Sequence, residues 1–504
     1  MAKRDLPRAL GPSVGNPLSP VAESHGSRRQ AWLHAFSPRI LRSQRWLRGL
    51  TLLFFPLALF GQTISYPLPE GIWQTKGYGF VFNVQKDRIA EFDVLGDQCL
   101  ATGVRTPLQF SADFGDWEAL SSGKNATWRL KVSGMEARRL ARLPESCAVP
   151  LAHDARPLEN FDYFWNTFNT HYAFFAAHGV DWNAVRGELR PKVKALPEDG
   201  DVFPILSDMV ALLKDSHTSL GDGKRSSHVR KHPFQQDMGP NGPILLDDHY
   251  MIGGLRAYMA GPNSPLAAPP QPAGNGKILY GRIKAPGLAI ESGARSDIGY
   301  IAFFEMKQFG QGEGRDTPVD VSVRSARLAM RQVVRSLQGV KGVVIDLRYN
   351  GGGEDGVALA VAGFFTNRPV KAYTKRAYFA GKTTAPYEVT VRPDPSDRLS
   401  VPIVILTSDM TVSAAEVCVL DLKALPYTTQ IGQPTRGSLS DRLEKVLPNG
   451  WNISLSNEIY ADAHGRVFEV GGIPPDVLTD WPSPKAPDEV RFRRDIDAAV
   501  EKLR

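Results

Sequence analysis

The stretch GVVIDLRYNGGG, residues 342–353, decides how this chain is read. A Val/Ile-rich run too short for a helix reads as a fully buried strand, and three consecutive glycines then force a turn. Outward from it, strands and helices alternate. Strand IGYIAFF (298–304) leads to a long helix over about 319–338, and after the turn come a helix over 355–365 and strand PIVILT (402–407). A helix begins near Ser413, then strand TTQIG (428–432) and a hairpin around Pro448-Asn449-Gly450. Such alternation predicts an α/β sheet covered by helices.

Further from the centre the pattern changes. Residues 67–145 carry short alternating runs, GFVFNV, IAEFDVL and TWRLKV, between Gly, Asp, Asn and Ser turns. They predict an all-β unit, a small barrel or sandwich. From 158 to 215 the period is helical, with Phe161, Phe164, Trp165 and Phe168 on one stripe and Phe203, Leu206, Met209, Val210 and Leu213 on another. Such stripes read as core rather than ligand sites. Residues 221–297 are Gly/Pro-rich and read as a loop-rich insertion with strands in PILLDDHYMIGGL and KILYGRI. The expected units are 1–65, 66–150 (β), 151–220 (helical), 221–297 (insertion), 298–482 (α/β) and 483–504 (C-terminal helix).

The net charge of +7 suggests nucleic acid until it is mapped. Residues 1–49 hold nine Lys/Arg against Asp5 and Glu23, which leaves 51 basic and 51 acidic residues in the remainder. The body is neutral, so no phosphate-binding stripe and no nucleic-acid partner are expected. The basic segment runs into the apolar stretch LTLLFFPLALF (50–60), the pattern of an export signal. Eleven residues are too few to span a bilayer as a helix. Residues 1–65 are therefore read as a cleaved signal or an N-terminal anchor that could tether the chain to a membrane, with an exported, periplasmic destination. Of three cysteines, Cys99 and Cys147 could pair in an oxidising compartment, and Cys418 reads as a buried thiol. No Cys/His cluster has metal-ligand spacing, so neither a metal nor an organic cofactor is expected.

Four segments carry chemistry: Asp215-Ser216-His217-Thr218, Asp346 to Gly353, Thr411-Val412-Ser413-Ala414-Ala415-Glu416, and Glu469-Val470-Gly471-Gly472-Ile473-Pro474-Pro475-Asp476. Ser413 sits where a strand gives way to a helix, so its hydroxyl can project into a cleft beside unpaired first-turn amides. Read alone it could equally be an N-cap serine, the glycines a plain tight turn, and His217 a capping histidine. Asp346 and Arg348 read as ordering the turn.

In this order and spacing the four segments resemble the tail-specific (C-terminal processing) serine peptidases, a family that includes the tricorn core and interphotoreceptor retinoid-binding protein. The resemblance covers roughly residues 158–480. It implies a crotonase/Clp-protease-like catalytic domain, an acyl-enzyme on Ser413, and an oxyanion hole from the amides of Gly352 and Ala414. The C-terminal processing branch takes its base from a lysine in T-x-G-K-G. Here the segment is Thr435-Arg436-Gly437-Ser438-Leu439, and the family glutamine further on is Arg442. The tricorn-like branch uses a histidine preceded by serine and a distant glutamate. By that resemblance His217 is general base, with Ser216 and Glu469 orienting it, and Lys445 has no argument for entering the site. Residues 221–297 match a PDZ module in length but show no carboxylate-binding loop motif, so such a module is degenerate or replaced. The expected function is a serine endopeptidase acting on protein or peptide substrates, of unknown oligomeric state. The alternatives are a ligand- or peptide-binding protein on the same scaffold, or an esterase or amidase.

Overall fold

Short alternating strands can bury only one face, and here they do so as one sheet. The computed structural model describes residues 68–504 except 116, 125, 131–132, 149, 152–155, 229–247, 285–296, 315–316 and 481–485. Residues 1–65, read above as an export signal or anchor with the apolar run, lie outside the described residues. Strands β1 (Gly71–Thr75), β2 (Phe80–Val84), β3 (Ile89–Leu95), β4 (Gln98–Arg105), β5 (Trp117–Ser121), β6 (Thr127–Leu130) and β7 (Glu136–Leu140) form an antiparallel sheet ordered β4-β3-β2-β1-β7-β6-β5. The barrel or sandwich expected from the alternation is instead an open sheet. Because β1 pairs with both β2 and β7, the first and last strands meet in the middle and the edges stay apart.

Helix α1 (Pro107–Phe114) lies between β4 and β5, where no helix was expected. A capping box starts it: Thr106 accepts from the Gln109 amide, the Gln109 side chain accepts from the Thr106 amide, and Pro107 holds the first helical position. Phe110 packs edge-on against Phe82 with ring centres 4.9 Å apart. Cys99 and Cys147 are disulfide-bonded, joining β4 to the segment after β7.

Helices α2 (Pro157–His171), α3 (Trp182–Lys194) and α4 (Phe203–Leu213) follow. The stripe residues Phe161, Phe164 and Phe168 are fully buried and share one core with the sheet residues Trp73 and Phe82. Past α4 the chain turns through residues 214–218 into β8 (Ser219–Gly221) and β9 (Ser226–His228).

The second seven-stranded sheet contains β10 (Gln271–Ala273), β11 (Ile278–Arg282), β12 (Ile298–Phe303), β13 (Gly342–Asp346), β17 (Ile403–Thr407), β18 (Thr428–Gly432) and β22 (Val477–Leu478). They are hydrogen-bonded in that order, parallel from β12 onward and antiparallel from β10 to β12. Every residue of β13 and β17 is buried, because helices cover both faces. Val343 and Ile345 pack with α6 (Val319–Ser336), α7 (Asp355–Ala362) and α8 (Ala414–Lys423). Val344, pointing the other way, packs with α5 (Asp248–Ala260) and α9 (Arg494–Leu503).

Over residues 248–255 helix α5 overturns the strand read in PILLDDHYMIGGL, whose first five residues lie outside the described residues. Met251, Leu255, Tyr258 and Met259 are buried at helical spacing, and that period extends past the end of the quoted segment. The remaining strands are β14 (Val370–Phe379), β15 (Lys382–Thr383), β16 (Tyr387–Val391), β19 (Arg442–Val446), β20 (Asn452–Ser456) and β21 (Glu458–Asp462). A sheet ordered β19-β20-β8-β9 brings the segment after α4 beside the C-terminal half. Among the described residues no helix is long and apolar enough to cross a membrane.

Candidate active site

Two loops leave the C-terminal ends of β13 and β17, where open α/β sheets place their clefts. They are fastened together. Thr411 Oγ1 donates to Leu347 O at 2.8 Å, the Ser408 hydroxyl donates to Arg348 O, and the Val412 amide donates to Asn350 O at 3.2 Å. Arg348 and Asp346 brace the first loop from below. Both are buried, Arg348 donates to Asp346 at 2.7 and 3.0 Å, and it reaches Asp495 and the Phe492 carbonyl beside α9.

Ser413 sits on the turn into α8 with φ 62° and ψ −131°. A β-carbon disfavours positive φ, and here the surrounding loop holds the strained conformation in place. The same device on other folds lifts a serine hydroxyl above a strand–helix junction. Gly352 (φ 88°) lies directly against it. A side chain there would stand 2.7 Å from Ser413 Cβ and from Val412 O, and 3.2 Å from the Ala414 amide nitrogen. The structure thus brings Gly352, Ser413 and Ala414 together. The Gly352 amide itself donates to Asn350 Oδ1 at 2.9 Å, whereas Ala414 occupies the first helical position, whose N–H has no partner within the helix.

The residue the sequence reading passed over is Glu416. Its carboxylate is completely buried and accepts from the Ser413 amide (3.1 Å), the Ser438 amide (2.9 Å), the Gly437 amide (2.7 Å) and Thr435 Oγ1 (2.6 Å). Burial raises its pKa above the ordinary carboxyl value, and these donors offset only part of that rise. The i, i+3 spacing of Ser413 and Glu416 was the available signal, because it is that of a capping box. Ser438, at the family lysine position, has its hydroxyl 2.8 Å from Ser216 Oγ.

The turn carrying His217 is built on Asp215, whose Oδ1 accepts from the His217 amide (2.8 Å) and Oδ2 from the Tyr172 hydroxyl (3.0 Å). Ser454 Oγ donates to the His217 carbonyl at 2.7 Å. The imidazole is buried, its Nδ1 is without a hydrogen-bond partner, and among the described residues no hydrogen bond joins it to Ser413. Burial lowers its pKa below the ordinary histidine value, against the upward pull of Asp215. Glu469 Oε2 accepts from the Leu439 and Ser440 amides at 2.9 and 3.0 Å, so it grips the loop beside His217 rather than the ring. Burial, with Asp215 and Glu416 nearby, raises its pKa well above the usual carboxyl value. Val470 next to it is held at φ 71°, a second strained residue at the site.

Lys445 points elsewhere. Its buried ammonium lies 2.5 Å from Asp93 Oδ1 and 2.7 Å from Tyr78 O, and 3.7 Å from the centre of the Phe80 ring. Among the described residues no group of three His, Cys, Asp or Glu side chains could hold a metal ion.

With this geometry in view, the comparisons with known proteins are specific. Residues 297–479 match the peptidase family S41 model. Over that stretch the chain is similar to the family S41 peptidases. Residues 153–211, ahead of it, match the tricorn protease C1 domain. The tail-specific resemblance read from four short segments is thereby borne out. The carboxy-terminal processing protease CtpA of Bacillus subtilis (strain 168) is 26% identical over 145 residues, 29% of this chain. That match spans 30% of the relative's length. A solved structure of a candidate peptidase from Parabacteroides merdae ATCC 43184 superposes with a TM-score of 0.53 at 23% identity, covering 69% of this chain and 97% of the other. At that identity the likeness is one of fold. The stretch matched by the S41 model holds Gly352, Ser413, Ala414, Glu416, Ser438 and Glu469, and Ser216 and His217 lie between it and the stretch matched by the tricorn C1 model.

Proposed function

We propose that the chain is a serine endopeptidase in which Ser413 attacks the scissile carbonyl and forms an acyl-enzyme. One observation carries the reading: Ser413 is held at positive φ on a strand–helix turn, pressed against a glycine that admits no side chain. His217, kept neutral by burial, is the group suited to take the hydroxyl proton and return it to the leaving amine. Ser216 and Glu469 act on it through the loop they hold. The Ala414 amide, with that of Gly352 once Asn350 releases it, receives the oxyanion.

The parallel strands β12, β13, β17 and β18 under α6, α7 and α8 are read as the crotonase/Clp-type core. The basic n-region, the apolar run at 50–60 and the Cys99–Cys147 disulfide favour an exported, periplasmic protein, released or tethered by that run.

The test is labelling of residues 66–504 by a fluorophosphonate probe. Wild type should label, and Ser413→Ala and His217→Ala should not. The tie between Gly352 and Asn350 favours one rival, a peptide-binding protein on a disarmed scaffold. That rival wins if wild type stays unlabelled while Ser438→Lys labels. Ester and peptide substrates assayed side by side then separate an esterase from a peptidase.

A further inference from the structure

A narrow cleft opens beside the Ser216–Ser438 hydroxyl pair, walled also by Lys214, Asp215, Arg436 and His178. It is fastened to the nucleophile's turn. The Arg436 amide donates to Thr411 O at 3.0 Å. The Ser438 and Ser413 amides end on one oxygen of Glu416, so their nitrogens lie no more than 6.0 Å apart. An extended chain advances about 3.3 Å per residue, so a peptide reacting at Ser413 passes this cleft within one or two residues.

The two cations on the cleft wall are not paired with a carboxylate among the described residues. Among the described residues no carboxylate lies within salt-bridge distance of Lys214 or Arg436, and Arg436 donates only to a carbonyl, that of Asp409, at 2.8 Å. Asp215 is spent on the His217 amide and the Tyr172 hydroxyl. Glu416 and Glu469 behind the wall are bound by backbone amides. Lys214 is moreover a non-glycine residue at φ 50°, a position at the end of α4 that glycine fills most readily. A lysine there has a plainer use, facing the negative end of the helix dipole. That use does not explain Arg436 on the same cleft.

We infer that this cleft is a subsite for an acidic side chain, Asp or Glu, of the substrate next to the scissile bond. A carboxylate on a short stem enters a narrow cleft between two cations, whereas a chain terminus would have to bring its backbone in too. The inference rests on the proposed peptidase reading.

The test uses N-acetylated, C-amidated quenched peptide pools with Glu, Gln, Asp, Asn or Lys fixed at each position in turn. At one position the Glu/Gln and Asp/Asn cleavage ratios should reach about tenfold and shrink as salt rises, the scale of two partly exposed charge pairs. Lys214→Gly, which suits the backbone and removes only the cation, should reduce the ratio, as should Arg436→Gln. Lys214→Glu with Arg436→Glu should turn the preference toward Lys. The ratio within each variant is independent of its total activity. Equal cleavage of acid and amide pools overturns the subsite, as does a preference that appears only with a free C-terminal carboxylate. Fluorophosphonate labelling of wild type reports the peptidase reading separately. If that fails, anisotropy of fluorescein-labelled Glu and Gln pools on the full chain decides: tighter Glu binding sustains the subsite, and equal binding overturns it.

Discussion

The backbone amides of Ser413 and Ser438 donate to the same atom, Oε2 of Glu416, over 3.1 and 2.9 Å. One buried carboxylate therefore sets the nucleophile's turn against the loop that faces Ser216. Glu416→Gln keeps the volume but turns an NH2 toward amide donors. Labelling of Ser413 should slow at least tenfold, and urea unfolding should show a loss of about 2–4 kcal/mol. Labelling at the wild-type rate would remove Glu416 from the site.

On the proposed reading, with His217 as the base, this histidine sets the acid limb of activity. Its pKa is lowered by burial, so it stays neutral down to a lower pH than a free histidine near 6.5. The kcat/KM of a cleaved peptide should be level at pH 7 and fall only below about pH 6.5. The fold binds the histidine proton less well than the unfolded chain does, so stability from this group falls as pH drops through 6.5. The unfolding free energy of wild type relative to His217→Asn should accordingly grow between pH 5 and 7. A limb well above 6.5 would point to a different base.

Lys445 and Asp93 form a buried pair between β19 and the N-terminal sheet, supported by the Tyr163 hydroxyl on Asp93 at 3.0 Å. Lys445→Met should cost about 3–5 kcal/mol, because it strands a buried carboxylate. Lys445→Met with Asp93→Asn should recover part of that loss in a double-mutant cycle by urea melts. Folded Lys445→Met should still label at Ser413, which a lysine base would not allow.

The Cys99–Cys147 bond closes a loop across 48 positions. In the chain-entropy picture, opening it with Cys99→Ser and Cys147→Ser should cost about 4 kcal/mol. A reducing agent should move the wild-type unfolding midpoint the same way.

The α/β half was legible because β13 and β17 are unbroken apolar runs ending at a glycine turn and a serine turn, patterns local to the chain. The disulfide was legible as a possibility. Of Glu416 only the capping-box spacing to Ser413 was legible; its ties to Gly437 and Ser438 go through main-chain amides, which leave no mark in a sequence. The open form of the first sheet depends on β1 meeting β7 across more than sixty residues, and alternation says nothing of that. Helix α5 was misread because an apolar PILL run precedes its stripe and suggests a strand. Within the site, the motifs pointed to Ser413, Gly352 and Ala414, which do meet. The tie from the Gly352 amide to Asn350, and the unpartnered Nδ1 of the His217 ring, are matters of packing.

Ser216 and Ser438 touch although 222 positions separate them, and Ser219 meets Ser454 across 235. During synthesis, then, the turn bearing His217 leaves the ribosome long before the strand that will hold it has been translated. On the proposed reading, a product that stops short of residue 438 lacks Ser438 and Glu469, and the turn bearing His217 lacks the strand that holds it. A nascent chain of this design would gain its proposed hydrolytic centre only after the segments holding both serines have been made.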